Sequence, residues 1–282
     1  MKLLKKLACA AAIAMSMGAV QAQPVLNGWH FNPSGGGFTG SQRINESLDV
    51  NGNAFIELTR TGATSFSFTE HAVFNIVQAD SNGQLFPVNF PGGNISATFE
   101  AFGRGNFSGA FSFTSGTIRL FQNPTPGQYG SEAGIYGANL GNEIAEFNVL
   151  AGGGGNVDAS GSPVNNGQVS VNAQAVSMDA GYFFRGDGVD LSLQDIIAFA
   201  FTNANTIGAP TATLVNEVAC QYAGFTGAGC GTGTFENSNR AFFVSNNGQF
   251  KLAEIPEPGS LALFGIAMLG AGVVSRKRAK KA

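Results

Sequence analysis

The sequence predicts an all-β fold, an antiparallel β-sandwich or jelly roll, with an N-terminal signal peptide and a C-terminal transmembrane helix. Residues 54–59, 65–69 and 168–173 alternate apolar and polar side chains, which indicates half-buried strands. Turn signals fall between such runs: Asn-Gly at 51–52, 82–83, 166–167 and 247–248, and Pro-Gly-Gly at 91–93. The 25 Phe among 282 residues supply large apolar rings for a core.

The body of the fold is predicted to extend over residues 23–254. Further runs with the same period of two occur at residues 95–99, 111–113, 117–121, 146–149, 242–244 and 249–252. Residues 191–202 fit a short helix or a buried strand, and the choice stays open. The four glycines at 152–155 predict a flexible loop, the best place for a subdivision of the body.

The N-terminus is typical of a secretory signal peptide. Lys2, Lys5 and Lys6 precede an apolar run over residues 7–20, which is too short to span a membrane. Val20 and Ala22 are small residues at the −3 and −1 positions of a cleavage site. Residues 1–22 are therefore predicted to be cleaved off, before Gln23, during export through the Sec machinery.

The C-terminus, residues 255–282, combines an extended tripeptide, an apolar helix and a basic tail. Pro256-Glu257-Pro258 keeps the backbone extended before Gly259. Residues 261–274 are apolar, and about 16 residues of helix around them would span roughly 24 Å. The following cations, which include Arg276, Lys277 and Arg278, favour a cytoplasmic tail and an external body.

This ending resembles the PEP-CTERM sorting signal of Gram-negative bacteria. The resemblance rests on Pro256, Glu257 and Pro258, the apolar helix, and the basic cluster Arg276-Lys277-Arg278. It implies recognition by an exosortase, transient or stable anchoring in the inner membrane, and a surface or extracellular destination near exopolysaccharide. The body, rich in Phe, Gly and Asn, is similar to PEP-CTERM proteins associated with flocculation.

The charge distribution excludes non-specific binding to nucleic acid. Residues 23–254 contain 17 acidic and seven basic side chains, so the body is acidic. Binding to nucleic acid needs a basic face that displaces counterions from phosphate. Nucleic acid is therefore not expected among the partners of this protein.

Two cysteines, Cys220 and Cys230, remain after removal of the signal peptide, which contains Cys9. An oxidising compartment favours a disulfide between them across a short, glycine-containing loop. Two cysteines without a nearby histidine make a poor zinc site.

The sequence offers few groups for catalysis, and we expect no enzymatic activity. His30 and His71 are the two histidines, and we find no nucleophile elbow, zinc-protease motif or phosphate loop. Glu70 and His71 are adjacent in a predicted strand and should therefore point to opposite faces. Glu57, Glu70 and Glu100 are candidates for a pair of glycosidase carboxylates. With 17 acidic residues in the body, however, such candidates arise by chance.

Two further binding sites are candidates. Asp187 and Asp190 flank a glycine turn and provide the oxygen ligands that calcium prefers, as do Asp49, Asn51 and Asn53 at alternating positions. Calcium is the one cofactor that the sequence suggests. Trp29, if exposed, would give a surface for stacking on sugar rings, whereas the ordinary alternative buries it in the core.

These observations favour a structural or adhesive protein that is sorted to the surface and associated with an exopolysaccharide, biofilm or floc matrix. The alternative is a lectin-like carbohydrate-binding module, or a glycan-active enzyme on the same scaffold.

Overall fold

The computed structural model describes residues 25–81, 84–90, 94–163, 167–231 and 234–255. The predicted signal peptide, the helix at 261–274, and the turns at 82–83 and 91–93 lie outside these residues. The strands are β1 (Trp29–Phe31), β2 (Gln42–Ile44), β3 (Ser47–Arg60), β4 (Ser65–Ser81), β5 (Gln84–Pro87), β6 (Asn94–Asn106), β7 (Ala110–Asn123), β8 (Asn142–Val149), β9 (Gly152–Asn156), β10 (Gly167–Met178), β11 (Phe183–Phe184), β12 (Ile196–Thr206) and β13 (Ala241–Glu254).

Eight antiparallel strands close into a barrel in the order β12-β13-β3-β4-β6-β7-β8-β10, because β12 pairs with both β13 and β10. The prediction of an all-β fold of antiparallel strands is confirmed. The predicted sandwich or jelly roll is wrong, since the main sheet curls until its two edge strands pair. Period-two alternation gives one apolar face in either architecture, and so the pattern alone does not separate them.

The strands β3 and β13 are longer than the sequence predicts, with 14 residues each. The dipeptides Asn51-Gly52 and Asn247-Gly248, predicted as turns, lie in their middles, and Asn51 pairs with Asn247. The runs 242–244 and 249–252 are therefore two parts of one strand. Gly248 is needed at its position because a Cβ atom there would lie 2.0 Å from the carbonyl oxygen of Phe201.

The barrel interior is a core of aliphatic and phenylalanine side chains. Phe66, Phe68, Phe99, Phe147 and Phe250 are buried in it, each from an inward-facing position of its strand. Several of these rings meet edge to face, as do Phe147 and Phe250 with centroids 5.7 Å apart. Large rings fill the space that closure of eight strands leaves at the centre.

Both ends of the barrel are covered. At the end where β3 begins and β13 ends, a small sheet of β11, β1 and β2 packs Trp29, Phe31 and Phe183 against the core. Leu26 of the same segment donates its backbone N–H to Leu252 in β13 at 2.7 Å. At the other end, Gly161 packs so close to Leu58 that a Cβ atom would lie 2.4 Å from its Cδ1.

A second, smaller core lies outside the barrel wall. It forms under a short helical segment, Ala212–Leu214 followed by the π-helical Val215–Tyr222, which we call the outer cap. Val218 of the cap packs with the outward-facing Phe55 and Phe243 and with Phe235. Cys220 and Cys230 are joined in a disulfide that ties the end of the cap to the following loop, as the sequence predicts.

The structure resolves one segment that the sequence left open and corrects the prediction for another. Residues 191–202 contain both alternatives in succession, a 3-10 turn at Leu191–Leu193 and then β12. The glycines at 152–155 form most of β9, which pairs with β7 and β10, instead of a flexible loop. Strands from both sides of this run belong to the same barrel.

Candidate functional site

Five amide side chains form a row across the outside of the barrel. Gln168 of β10 pairs in register with Asn203 of β12, which pairs with Asn247 of β13, then Asn51 of β3 and Asn75 of β4. Neighbouring strands lie roughly 4.8 Å apart, so the row extends for about 19 Å. We call these five residues the amide row.

The strand period turns these amides to the outside. In β12, Ala204 is buried while Asn203 beside it is exposed, and in β13 Asn246 is buried while Asn247 is exposed. Successive side chains of a strand point to opposite faces of the sheet. Register and period together place all five amides on one surface.

The three central amides of the row are exposed, and two of them are hydrogen-bonded to each other. Asn247 donates a hydrogen bond from Nδ2 to Oδ1 of Asn51. Asn51, Asn203 and Asn247 are exposed, whereas Asn75 is half-buried and its Oδ1 has no hydrogen-bond partner among the residues described. Each amide can donate two hydrogen bonds and accept others.

Two shallow grooves meet at Asn203 and Asn247. One has a volume of about 460 Å³ and is bordered by Phe201 and Leu85. The other has a volume of about 330 Å³ and is bordered by Tyr129. Together they form a continuous surface that combines amide groups with apolar rims.

Aromatic rings border both grooves. Phe201 is 37% exposed and Leu85 is 52% exposed, which leaves apolar surface beside the amides. The hydroxyl of Tyr129 donates to the carbonyl oxygen of Val73 at 3.1 Å, which fixes the position of its ring. Burial raises the pKa of Tyr129 well above its usual value, so this hydroxyl stays protonated.

Two of the residues that line the grooves are charged, and both are carboxylates. Asp49 and Asp80 line the larger groove, and burial raises the pKa of Asp49. Lys251, further along β13, is paired with Glu46 at 2.6 Å. The surface therefore suits a neutral ligand rich in hydroxyl groups, which amides bind as donors and acceptors while rings contact its apolar faces.

Trp29 does not provide the predicted stacking surface. It is fully buried, its indole N–H donates to the carbonyl oxygen of Glu46 at 3.1 Å, and it stacks on Phe183. The ordinary alternative, a first strand that packs its aromatic residues into the core, is what the structure has. Burial satisfies both the apolar ring and its single donor.

The two candidate calcium ligands have protein partners. Asp187 is paired with Arg185 at 2.9 Å and accepts the N–H of Val189, while Asp190 accepts the N–H groups of Gly181 and Ser192. In the ranges that the structure describes, no three His, Cys, Asp or Glu side chains group as metal ligands would. A calcium ion at this turn would compete with these contacts for the carboxylate oxygens.

Glu70 and His71 face opposite sides of the barrel wall, as predicted. Glu70 points into the interior, whereas His71 lies under the outer cap, where its Nε2 is 3.6 Å from Oε1 of Glu100 and its ring meets Tyr222 edge to face. Burial lowers the pKa of His71, and Glu100 acts in the opposite direction. Glu70 is therefore separated from Glu100, which lies on the outside with His71.

Sequence reasoning missed the amide row, although one signal was present. Asp49, Asn51 and Asn53 alternate, as do Asn203 and Asn205, and alternation in a strand places side chains on one face. The Asn-Gly pairs drew these residues into predicted turns. Only the pairing of β12 with β10 and β13 shows that separate stretches form one surface.

The sorting-signal residues Pro256, Glu257, Pro258 and Gly259 and the basic cluster Arg276-Lys277-Arg278 lie outside the described residues. Within the described part of the chain, no helix has the length and apolar character needed to cross a membrane.

Comparison with known proteins gives one match. Residues 254–278 match the family model for the PEP-CTERM protein-sorting motif, which agrees with the resemblance seen in the sequence. No curated protein and no solved structure matches the chain. The match identifies the C-terminal segment, and the description of the barrel rests on the structure alone.

Proposed function

This chain carries a PEP-CTERM protein-sorting motif, which implies exosortase-dependent sorting to the surface or outside, and we propose that its barrel is an adhesive module that binds exopolysaccharide. In this proposal the protein is delivered through the Sec machinery of a Gram-negative bacterium and is held in a biofilm or floc matrix. The sorting motif supports the destination, and the barrel supplies the contact.

The observation that carries the proposal is the amide row between two apolar rims. Asn51, Asn203 and Asn247 present donors and acceptors to the outside, and Phe201 adds an exposed ring beside them. Sugars offer hydroxyl groups around their edges and C–H groups on their faces. A surface of amides with aromatic borders is complementary to both.

The shape of the surface favours a polymer over a single sugar. The row crosses five strands, and all of its amides except the half-buried Asn75 line the two grooves, which share Asn203 and Asn247. A chain lying along the row would contact several strands at once, so weak contacts to each sugar would add along the polymer. Adhesion to a matrix needs many such reversible contacts.

The test is polysaccharide binding by the exported protein and by a triple variant, Asn51→Ala, Asn203→Ala and Asn247→Ala. The probe is an insoluble neutral β-glucan, and bound protein is measured against protein concentration. Each hydrogen bond contributes about 0.5–1.5 kcal/mol, and we therefore expect the triple variant to bind at least tenfold more weakly.

The matched control changes three exposed asparagines away from the row: Asn142→Ala, Asn148→Ala and Asn156→Ala. This control should bind as the unchanged protein does. Equal binding by both triple variants, or no saturable binding by the unchanged protein, would contradict the proposal. Release of soluble sugar from the glucan would instead favour the alternative, a glycan-active enzyme.

A further inference from the structure

The barrel interior contains one carboxyl group in an apolar environment. Glu70 lies in β4 between the inward-facing Phe68 and Ala72, and it is 8% exposed. The interior positions around it are filled mainly by apolar side chains, with Asn246 and Thr202 as the polar exceptions beside it. Such a group is costly to bury unless something compensates for the lost water.

No protein group compensates for it within the described residues. Burial is the only influence on its ionisation, and neither a hydrogen bond nor an ion pair to Glu70 occurs among the described residues. Burial raises the pKa of Glu70 to about 7. The carboxyl group therefore retains its full capacity to bind a donor from outside the protein.

Glu70 lines two adjoining cavities inside the barrel, with volumes of about 60 and 30 Å³. Val169 and Asn246 border both cavities, and Thr202 borders the larger one. Together they hold roughly three to six water-sized groups. The other lining residues are mainly Phe, Val, Leu, Ile and Ala, and among the lining residues described Glu70 is the one that ionises.

The composition of the lining defines the ligand. A short hydrocarbon chain would contact the phenylalanines, and a group with hydrogen-bond donors would reach Glu70. A buried carboxylate is stabilised most by a cation with several donors, because pairing removes both isolated charges. An anion would face repulsion from Glu70, and a neutral alkane would leave the carboxyl group unpaired.

We propose that the barrel interior is a second binding site, independent of the amide row, for a small primary amine whose ammonium group pairs with Glu70. The bound chain has roughly three or four carbon atoms, as the cavity volume requires. Asn246 and Thr202 supply additional polar contacts. The outside of the barrel would then bind polymer while its interior binds a small cation.

The test measures binding of n-propylamine to the exported protein by calorimetry, beside 1-propanol and propionate, which have the same chain and a different head group. We expect the amine to bind at least tenfold more tightly than either. The Glu70→Gln variant keeps the size of the side chain and removes its charge, and it should lose this preference. Glu57→Gln, an outward-facing position in β3, should keep it.

A pH titration of the unchanged protein makes the test independent of the variant's folding. Below pH 7 the amine must displace the proton of Glu70, so affinity should fall toward tenfold for each pH unit. Equal affinity for amine and alcohol, a preference that survives Glu70→Gln, or no saturable binding would overturn the proposal and indicate a site that holds water only. Glucan binding at the amide row is measured separately, so either proposal can fail alone.

Discussion

Glu70 and His71 show how different the surroundings of two adjacent residues in one strand can be. The two are adjacent in β4, yet Glu70 faces the apolar interior and His71 faces Glu100 and Tyr222 under the outer cap. Burial favours the neutral form of both groups, because it raises the pKa of the carboxyl group and lowers that of the imidazole. The sequence predicts their opposite directions because a strand has a period of two, but it does not predict which face is interior.

The raised pKa of Glu70 makes stability depend on pH. Folding raises this pKa from 4.5 to about 7. Between these values the unfolded chain has released a proton that the folded chain retains, so the free energy of unfolding should fall as pH rises, by about 3 kcal/mol in total. Above about pH 7 the effect is constant. Urea unfolding of the unchanged protein and of Glu70→Gln at pH 4.5 and pH 8 measures it.

The Glu70→Gln variant should lose most of this difference between the two pH values, whereas Glu236→Gln, at an exposed position, should retain it. Because both variants remove one carboxyl group, a change in overall charge cannot produce the contrast. A decline with pH that is the same in all three proteins would show that Glu70 is not its source.

At the scale of the element, the Asn-Gly dipeptides explain both a success and a failure of sequence reasoning. Alternation correctly locates the strands around residues 54–59 and 242–252, because side-chain period is a local property. The turn assignments at 51–52 and 247–248 fail because their glycines serve another purpose. Gly52 and Gly248 allow close approach of neighbouring backbones inside long strands, which only the assembled sheet reveals.

Gly248→Ala should therefore destabilise the protein, by about 1–3 kcal/mol. Its new Cβ atom would lie 2.0 Å from the carbonyl oxygen of Phe201 and 2.7 Å from the Cα of Thr202, so the backbones of β12 and β13 must separate. Gly208→Ala is the matched control, because nothing lies within 4 Å of a Cβ atom there. Thermal unfolding of both variants measures the effect, and equal melting temperatures would contradict it.

The same substitution links the fold to the amide row. Asn247 and Asn203 lie on the two strands that Gly248→Ala pushes apart. Folded Gly248→Ala protein should bind glucan more weakly than Gly208→Ala protein if spacing of the amides matters.

At the scale of the whole molecule, closure of the barrel creates both candidate sites. The pairing of β12 with β10 joins Asn203 to Gln168 on the outside and encloses Glu70 on the inside. The row also needs the pairing of β13 with β3, which brings Asn247 to Asn51 across a separation of 196 residues, and no local pattern specifies that contact. The sequence could therefore predict the strands and the disulfide, but neither the amide row nor the interior carboxyl group.

The charge of the whole body should restrict which polysaccharides it binds. Residues 23–254 carry 17 acidic and seven basic side chains, and the amide row is bordered by Asp49 and Asp80. An anionic polymer would be repelled, while neutral amide contacts would be insensitive to salt. We expect equal binding to neutral β-glucan at about 0.05 and 0.5 M salt, and no binding to alginate at the lower concentration. Tight alginate binding that salt releases would show instead that the few cations, among them Arg43 and Arg104, dominate the contact and that the amide row does not select the polymer.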